Sequence, residues 1–579
     1  MRYIGPFFRM NSLSQKEISG QLFYLSKESI KTLVLNSKCG ILAQTRASKK
    51  SPIEDISILN NFSPLLCLYR KASPLFIHSK SSPSFDEASF KKEISPSTSA
   101  LMTLCLLELS EYYSHYSDGK RNIVSLEKPF KFLAREQLQF YSENLRNNEG
   151  LFVDKKNISD GNSKGFSLID KDDKFKFSDQ AFMMAAYLLY SHYNDSDELS
   201  KDYAAFSNEI LDMFKTYNSV LYDLSFSECI QIFLALNIHY KYSCSQNAKE
   251  LILDLGDFLI SKFQEKDYYM DSIDDCALFS ICLMEAYKHT EIISFKEFSK
   301  EITEKLIGLY DTDKNIFIKL SDKKDSKYSC IEINLYLLCL LMYSFQEDRI
   351  SELRPIISGL YRKFFVNGGL LTSWPEAPTL DEVERYKKLS LRSDDMLDEI
   401  YFRMPVLPTP KSTGLAPVFV KSLSYSKKKD SLTTKRTSFD SSKNMFNFFM
   451  IIYLLKDMVE DFMEFIPPLG LERLSDLDSS IDSNTGFATT DAKESNSNNS
   501  LATSSPESNV NNLKTQLNLS KSEDPVDFKQ PVLNSFNTFK KNTNISSLNN
   551  DSTTKINHSV KNKKLKKNKA QHPHSKKKF

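Results

Sequence analysis

The chain has 579 residues, with 76 lysine and arginine residues against 74 aspartate and glutamate residues. This near balance means that the net charge indicates no polyanionic or polycationic partner. A hydrophobic fraction of 41% and an aromatic fraction of 12% are enough for a large core. The nine cysteines occur singly, without a CxxC pair or a histidine at ligand spacing, which argues against a zinc site and indicates a reducing compartment.

Neither a signal peptide nor a transmembrane segment is expected. The first residues, MRYIGPFFRMNSLS, hold no apolar stretch of signal-peptide length. The longest apolar run, Phe448 to Leu455, is too short to cross a bilayer. We therefore expect a cytoplasmic protein.

Residues 1–96 are predicted to form a small mixed α/β cap. Ser14-Gln15-Lys16-Glu17 is a capping box that starts a helix reaching about Leu35. Two short strands are predicted at Leu65 to Tyr69 and at Leu75 to His78, on either side of a polar turn.

A helical hairpin is clearest at residues 178–223. Its first helix, Phe182 to Tyr190, is nearly all apolar, and a second helix follows after a polar turn. The second helix carries apolar residues at steps of three and four: Leu199, Tyr203, Phe206, Ile210, Met213 and Tyr217. A helix that is apolar all round is buried, whereas one apolar stripe is typical of a surface helix. The unit is therefore an inner helix followed by an outer helix.

This hairpin recurs about every fifty residues from residue 97 onward, which predicts a stacked or closed array. Six inner helices are predicted: Ala100–Tyr116, Gln180–Tyr193, Phe226–Tyr240, Asp275–Tyr287, Cys330–Phe345 and Met445–Met458. An amphipathic outer helix follows each of the first five. A polar turn and an apolar pair end each outer helix, as in Leu151-Phe152, Leu221-Tyr222, Tyr269-Met270, Ile316-Phe317 and Leu370-Leu371. These pairs are expected to anchor the chain before the next inner helix.

Six inner helices that alternate with outer ones resemble the (α/α)6 toroids, which include six-hairpin glycosidases and sugar epimerases. The resemblance is one of architecture, covers about residues 97–466 and includes no family-specific catalytic motif. It implies a mainly α fold with an α/α-toroid domain at 97–468. Pro467-Pro468 leaves the sixth inner helix without an outer partner, so the amino-terminal helix or the Asp381–Ser390 segment is expected in that place. An open superhelix of hairpins is the alternative.

Two further segments differ from the repeat. An insertion at 366–440 carries the apolar Val418-Phe419-Val420 and is expected to line or cover one mouth of the ring. Residues 469–579 are rich in Ser, Asn, Asp and Lys, which predicts a disordered tail. The lysines at the end of the tail predict weak, unspecific attraction to polyanions.

The resemblance implies that catalytic carboxylates lie where inner helices begin, with a protonated acid and an ionised partner on either side of the scissile bond. The matching positions are Asp179, Asp223, Glu228, Asp271, Asp274, Asp275 and Glu332. From these we select Asp274, Asp275 and Glu332 as candidate catalytic residues and add Glu376 from the insertion. The alternative for each acid at a helix start is that it caps free amide groups, as in the capping boxes ending at Glu228 and Glu332.

Trp374 and Asn334 are the candidate substrate-binding residues. An indole can stack on a sugar ring, although a single tryptophan is also a common packing anchor. Asn334 is a polar residue inside an apolar helix, where it needs a partner or a wet cavity. No cofactor or metal is predicted.

Two functions follow from these observations. The first is a carbohydrate-active enzyme, hydrolase-like or epimerase-like, that uses carboxylate acid/base chemistry on a glycan in the ring cleft. The second is a non-catalytic binding or scaffold protein that holds a partner or polymer in the ring and is tethered by its basic tail. The small number of tryptophans and the capping alternative favour the second.

Overall fold

The computed structural model describes residues 14–43, 54–78, 83–114, 126–159, 165–319, 325–375, 415–434 and 438–464. The Asp381–Ser390 segment, Glu376 and the predicted tail at 469–579 lie outside these residues. None of the described helices is long and apolar enough to span a membrane.

Helices dominate the described chain and fall into two sets. The inner helices are α2 (Pro96–Ser114), α4 (Phe177–Tyr193), α7 (Phe226–Ser243), α9 (Ile273–Thr290), α11 (Cys330–Gln346) and α13 (Ser441–Glu464). The outer helices are α1 (Gln15–Asn36), α3 (Glu127–Asn144), α5 (Ser200–Thr216), α8 (Gln246–Gln264), α10 (Ile293–Gly308) and α12 (Ile350–Leu360). The short α6 (Asn218–Leu221) follows α5, and a π-helical turn (Tyr361–Val366) extends α12.

The inner helices form a closed ring. Each packs against the next in the order α2, α4, α7, α9, α11 and α13, and α13 packs back onto α2. Their burial fits this position: in α4, every residue from Phe177 to Ser191 is buried. The closed ring of six inner helices is the predicted α/α toroid, and the open superhelix is excluded.

The amino-terminal helix α1 is the outer partner of the sixth inner helix, because it packs along α13. It begins with the predicted capping box, in which Ser14 and Glu17 bond each other's backbone amides. The Tyr361 hydroxyl donates to Gln21 Oε1 (2.6 Å), and Ser29 Oγ donates to the Pro417 carbonyl (2.6 Å). A helix from the predicted cap therefore completes the ring, while the domain boundary at 96/97 stays a prediction.

The strands are short, and each described sheet is antiparallel. Two-stranded sheets pair β1 (Gly40–Leu42) with β2 (Leu65–Leu68), β4 (Phe76–His78) with β5 (Pro83–Phe85), β3 (Lys71–Ala72) with β14 (Phe439–Asp440), and β9 (Tyr310–Asp311) with β10 (Ile316–Phe317). Three-stranded sheets join β6 (Glu93–Ile94), β7 (Val153–Asn157) and β8 (Leu168–Phe175), and β11 (Asp325–Ser329), β12 (Ser422–Ser426) and β13 (Ser431–Thr433). The two strands predicted near Leu65 and Leu75 are present as β2 and β4. The β6–β7–β8 sheet was not predicted.

The connectors after the outer helices bury their apolar pairs in most repeats. Leu151 and Phe152 are buried, as are Ile316 and Phe317. The prediction is wrong for the third connector, where Met270 is 40% exposed. There the preceding Tyr268 is buried instead, with its ring stacked on Phe263 at 5.2 Å between centroids.

The apolar part of the insertion packs onto the start of α13. Val418, Phe419 and Val420 are buried. The Phe419 amide donates to Asn444 Oδ1 (2.7 Å), and the Val420 amide donates to the Leu370 carbonyl (2.9 Å). This segment therefore lies at the end of the ring where α13 begins.

Near the carboxyl ends of the inner helices lies a group of charged and tyrosine side chains, here called the axial ion cluster (Glu108, Glu111, Tyr193, Tyr242 and Lys456). Glu108 and Lys456 are buried, and the other three are half-buried. The Lys456 ammonium is 2.8 Å from Glu108 Oε2 and also pairs with Glu111. The Tyr242 hydroxyl donates to Glu108 Oε1 (2.6 Å), and the Tyr193 hydroxyl donates to Glu111 Oε2 (2.5 Å). The cluster thus links α2, α4, α7 and α13.

The charges of this cluster depend on one another. Burial alone would lower the pKa of Lys456, but Glu108 and Glu111 raise it above its ordinary value. Burial would likewise raise the pKa of Glu111, and the Lys456 ammonium lowers it instead. Removing one partner would leave a buried charge without compensation, which costs far more than the pair itself contributes.

We predict that Lys456→Met lowers the free energy of unfolding by about 3–5 kcal/mol, because Glu108 is left buried without its cation. Urea denaturation followed by circular dichroism measures this loss. The matched control is Lys305→Met, which removes an exposed lysine 2.7 Å from Glu301 on α10. Exposed pairs contribute about 0–1 kcal/mol, so the control should change little. Equal losses in the two variants would contradict the role given to the axial ion cluster.

Candidate functional site

The inner helices all begin at the same end of the ring, which is called the mouth below. Contacts between their first turns show this. Thr98 and Ser442 hydroxyls are 2.9 Å apart, which joins the starts of α2 and α13. Ser97 and Asp179 join the starts of α2 and α4. Glu228 on α7 bonds the first amides of α4 in the same way.

Acids of the mouth cap the inner helix that precedes them in the ring. Asp179 Oδ1 accepts from the Ser97 amide (3.1 Å) and from the Ser97 hydroxyl. Glu228 Oε1 accepts from the Phe177 amide (3.1 Å). Asp275 accepts from the Ser227 side chain at the start of α7. Asp179 and Glu228 thus satisfy free amides of a neighbouring helix, as the capping alternative predicts. The capping box predicted at Glu228 is only half formed, because Ser225 accepts from the Glu228 amide while the Glu228 carboxylate bonds α4.

A cavity of about 220 Å³ opens at the mouth between the starts of α2, α4 and α13 and the β6–β7–β8 sheet. The charged and hydroxyl side chains that line it include Arg70, Glu93, Asp154, Lys171, Lys176, Asp179 and Ser442. Lys171 Nζ lies 3.2 Å from Asp154 Oδ2 and thereby pairs β8 with β7. The cavity is smaller than the pockets of about 300–1,000 Å³ that hold drug-sized ligands, so it has room for a small ligand only.

Asp179 is the buried acid of this cavity, with 2% of its surface exposed. Burial raises the pKa of its carboxyl to about 6, and the neighbouring charge of Asp154 adds to the rise. The Lys176 ammonium and the hydrogen bonds from Ser97 oppose it. Below about pH 6 this carboxyl carries a proton that it can donate.

Glu93 is a carboxylate with the opposite shift, in the same cavity. Burial alone would raise the pKa of Glu93, but hydrogen bonds from Lys91 and Arg70 lower it below its usual value. The Lys91 ammonium is 2.8 Å from Glu93 Oε1, and Arg70 Nη1 is 2.9 Å from Oε2. Two carboxyl groups whose pKa values are pushed apart at one site have the properties of an acid and its ionised partner.

The structure brings three of the predicted catalytic acids together on another side of the mouth. Asp274 and Asp275 lie in the first turn of α9, and Glu332 lies in the first turn of α11. Burial raises the pKa of Asp275 to about 6, and the adjacent Asp274 adds to the rise. Burial also raises the pKa of Glu332, against the Lys319 ammonium, which lies 2.6 Å from Glu332 Oε1. Glu332 is also the second residue of its predicted capping box.

The two predicted substrate-binding residues are buried. Asn334 Nδ2 donates to Asn447 Oδ1 (3.2 Å) and so bonds α11 to α13. Trp374 is 6% exposed and follows the segment in which the Thr372 amide donates to the Val418 carbonyl (3.0 Å). Neither side chain has an exposed face for a ligand in this structure. Their role in substrate binding stays a prediction.

Sequence reasoning missed Glu93 and Asp154 and did not select Asp179. Glu93 and Asp154 lie on β6 and β7, and β7 reads Val-Asp-Lys-Lys-Asn. The alternation of buried and exposed positions in β7 is carried partly by Lys155 and Asn157, which are buried polar residues. The alternation of apolar and polar residues that marks a strand is therefore absent from these segments. The charged residues Lys91-Lys92-Glu93 were the one sequence feature that could have indicated a site there.

No group of three or more His, Cys, Asp or Glu side chains among the described residues is arranged to hold a metal ion.

No family model and no curated protein matches this chain. Among solved structures, it is similar to a D-mannose isomerase, with 9% identity over 75% of this chain and 97% of the other and a TM-score of 0.43. It is also similar to an endoglucanase from the termite Nasutitermes takasagoensis, with 11% identity over 76% of this chain and 99% of the other and a TM-score of 0.43. A cellobiose 2-epimerase from Bacillus thermoamylovorans gives 9% identity over 67% and 92% of the two chains and a TM-score of 0.40.

Proposed function

We propose that this protein binds a carbohydrate at the mouth of the ring and transforms it by acid/base catalysis. The observation that carries the proposal is the pair of carboxyl groups in one cavity, Asp179 with a raised pKa and Glu93 with a lowered pKa. This is the division of roles that carboxylate chemistry on sugars needs.

In this proposal Asp179 is the general acid, and its proton passes to the oxygen that leaves the anomeric carbon. Glu93 is the ionised partner, which takes a proton from the attacking water in a hydrolysis. Arg70 and Lys91 keep Glu93 charged and fix its position through their hydrogen bonds. The capping bonds from Ser97 hold Asp179 in one orientation, which general acid catalysis requires.

Asp274, Asp275 and Glu332 form a second acidic group, which we propose as further carbohydrate contacts at the mouth. Glu376, Trp374 and Asn334 keep their predicted roles as proposals. The position of the insertion supports a role for this region, because Phe419 is bonded to the first turn of α13 through Asn444.

The alternative is a non-catalytic binding or scaffold protein that holds a partner or polymer in the ring and is tethered by its basic tail. It is supported by the capping bonds of the mouth, since Asp179 and Glu228 already have structural roles. It is also supported by the burial of Trp374.

The cysteines, which lie outside the mouth, support a proposal about the compartment of the protein. Eight of the nine cysteines are buried and all nine are free, as expected for a protein of a reducing compartment such as the cytoplasm. The attraction of the basic tail to polyanions stays a prediction.

We expect Asp179→Asn to lower turnover about 10²–10⁴-fold, the range for loss of a general acid, since the amide keeps a capping oxygen but carries no acidic proton. Hydrolysis and epimerisation of a panel of oligosaccharides measure this. Glu228→Gln is the matched control, because it changes a capping acid of the mouth that does not line the cavity. If activity survives in Asp179→Asn and is lost in Asp275→Asn, the catalytic site lies at α9 instead. A folded protein that binds glycans without turnover would favour the non-catalytic alternative.

The rate should also depend on pH in a defined direction. Because the pKa of Asp179 in the folded chain is about 6, against an ordinary value of 3.8, the proton donor is present below about pH 6 and is lost as the pH rises through this value. The kcat/KM profile should therefore fall on its alkaline side near pH 6. A profile that stays level from pH 5 to 8 would be inconsistent with Asp179 as the acid.

A further inference from the structure

The cavity that holds Asp179 at the mouth is lined mainly by charged side chains. Eight of the twelve residues that line it carry an ionisable group, four of them cationic and four acidic. Among these described lining residues Ile94 is the only apolar one, and none is aromatic. Pockets for small organic ligands are usually lined mostly by hydrophobic and aromatic side chains, with a few polar groups that fix orientation. The lining of this cavity therefore indicates a ligand that is recognised through its charge.

Two of the four cations are neutralised by acids of the same cavity. Arg70 Nη1 lies 2.9 Å from Glu93 Oε2, and Lys171 Nζ lies 3.2 Å from Asp154 Oδ2. A ligand would have to compete with these carboxylates for Arg70 and Lys171. Neither of the two cations is therefore available without the loss of an ion pair.

The other two cations, Lys174 and Lys176, are not neutralised in this way. Both are exposed residues that line the cavity, and neither ammonium group forms an ion pair with a described side chain. The bond between Lys174 and Asp172 uses the backbone amide of the lysine, which donates to Asp172 Oδ1 (3.1 Å). Lys176 directly precedes α4, and its charge opposes the rise in the pKa of Asp179. Two accessible ammonium groups are thus available to a ligand in the cavity.

The net charge of the cavity depends on the proton of Asp179. The proposed general acid works in its protonated form, and the lining then holds four cations against three ionised acids, Glu93, Asp154 and Asp172. The Lys91 ammonium adds a positive charge beside the cavity, 2.8 Å from Glu93 Oε1. Clefts in which one sign of charge dominates attract ligands of the opposite sign. The protonated form of the site therefore favours an anion.

We propose that the sugar residue bound in this cavity is acidic and carries a carboxylate or sulfate group that contacts Lys174 and Lys176. The inference rests on the proposed function and deepens it, because it names the class of substrate for the same site. A lysine ammonium group is a mobile point charge with three donors, so it can bind either anion without a fixed geometry. A neutral sugar would form weaker hydrogen bonds to the same groups, since bonds between charged partners are the strong ones. Lys174 and Lys176 thus determine specificity.

The test measures turnover and calorimetric binding of matched oligosaccharides by the full chain at pH 5. The probes are oligosaccharides of glucuronate, galacturonate and mannuronate, the methyl esters of the same compounds, and sulfated oligosaccharides of the corresponding neutral sugars. At this pH Asp179 carries its proton, whereas the uronate carboxyl is ionised. We expect kcat/KM for at least one charged probe to exceed that for its uncharged counterpart about tenfold, and this ratio to fall as salt is added.

The double variant Lys174→Gln/Lys176→Gln should lower the ratio of kcat/KM between the charged probe and its methyl ester or unsulfated form about tenfold, because two attractive charges are lost. Lys201→Gln is the matched control, since it removes an exposed lysine of α5 that does not line the cavity, and it should leave the ratio unchanged. Circular dichroism verifies that each variant is folded.

The outcomes separate the charge of the substrate from the catalysis. A preference for uronates assigns the anionic group to a carboxylate, and a preference for sulfated probes assigns it to a sulfate. Equal kcat/KM for charged and uncharged probes, or the same change of the ratio in Lys201→Gln, would overturn the inference and leave catalysis at the mouth intact. Charge-selective binding without turnover would contradict the catalysis and support the acidic ligand. The absence of binding by every charged probe would overturn the inference.

Discussion

The buried pairing of Lys456 with Glu108 and Glu111 is the constraint on which the ring depends. It connects the last inner helix, α13, to the first, α2, and adds an ionic contact to the packing that closes the ring. Because a buried ammonium is tolerated only beside its counter-charges, α2 and α13 have one register in which both stay satisfied. The tyrosine hydroxyls from α4 and α7 complete the bonding. This end of the inner helices is filled by ionic and aromatic side chains, and the ligand-sized cavity lies at the other end, at the mouth.

At the mouth, the acids that serve the fold include the one that we propose as the general acid. A carboxylate that caps a buried helix start gains hydrogen bonds and loses hydration, and these two effects change its pKa in opposite directions. For Asp179 the loss of hydration is larger, so its pKa rises to about 6. Capping is therefore compatible with catalysis: it holds the acid in place, while burial supplies the proton at mildly acidic pH.

The sequence was sufficient for the helices because their signal is local. Inner helices such as α4 are apolar on every face, and outer helices such as α5 carry one apolar stripe, so both types could be recognised without knowing their neighbours. The β6–β7–β8 sheet could not be recognised, since β7 and β8 are rich in lysine and aspartate and β6 pairs with a strand far along the chain. Glu93 and Asp179 are brought together by that sheet. The acids at 274, 275 and 332 were selected because they follow the repeat, whereas Glu93, the proposed partner of Asp179, lies outside it.

The pairing of charges also distinguishes the two acidic groups of the mouth. Acid/base chemistry on a sugar needs one carboxyl that keeps its proton and one that has lost it, both within reach of the same ligand. Near α9 and α11, burial raises the pKa of both Asp275 and Glu332. Near α2 and α4, Arg70 and Lys91 lower the pKa of Glu93, while burial raises that of Asp179. A raised pKa in one carboxyl and a lowered pKa in its neighbour let both charge states exist at one pH, and the cavity at the start of α2 has that combination.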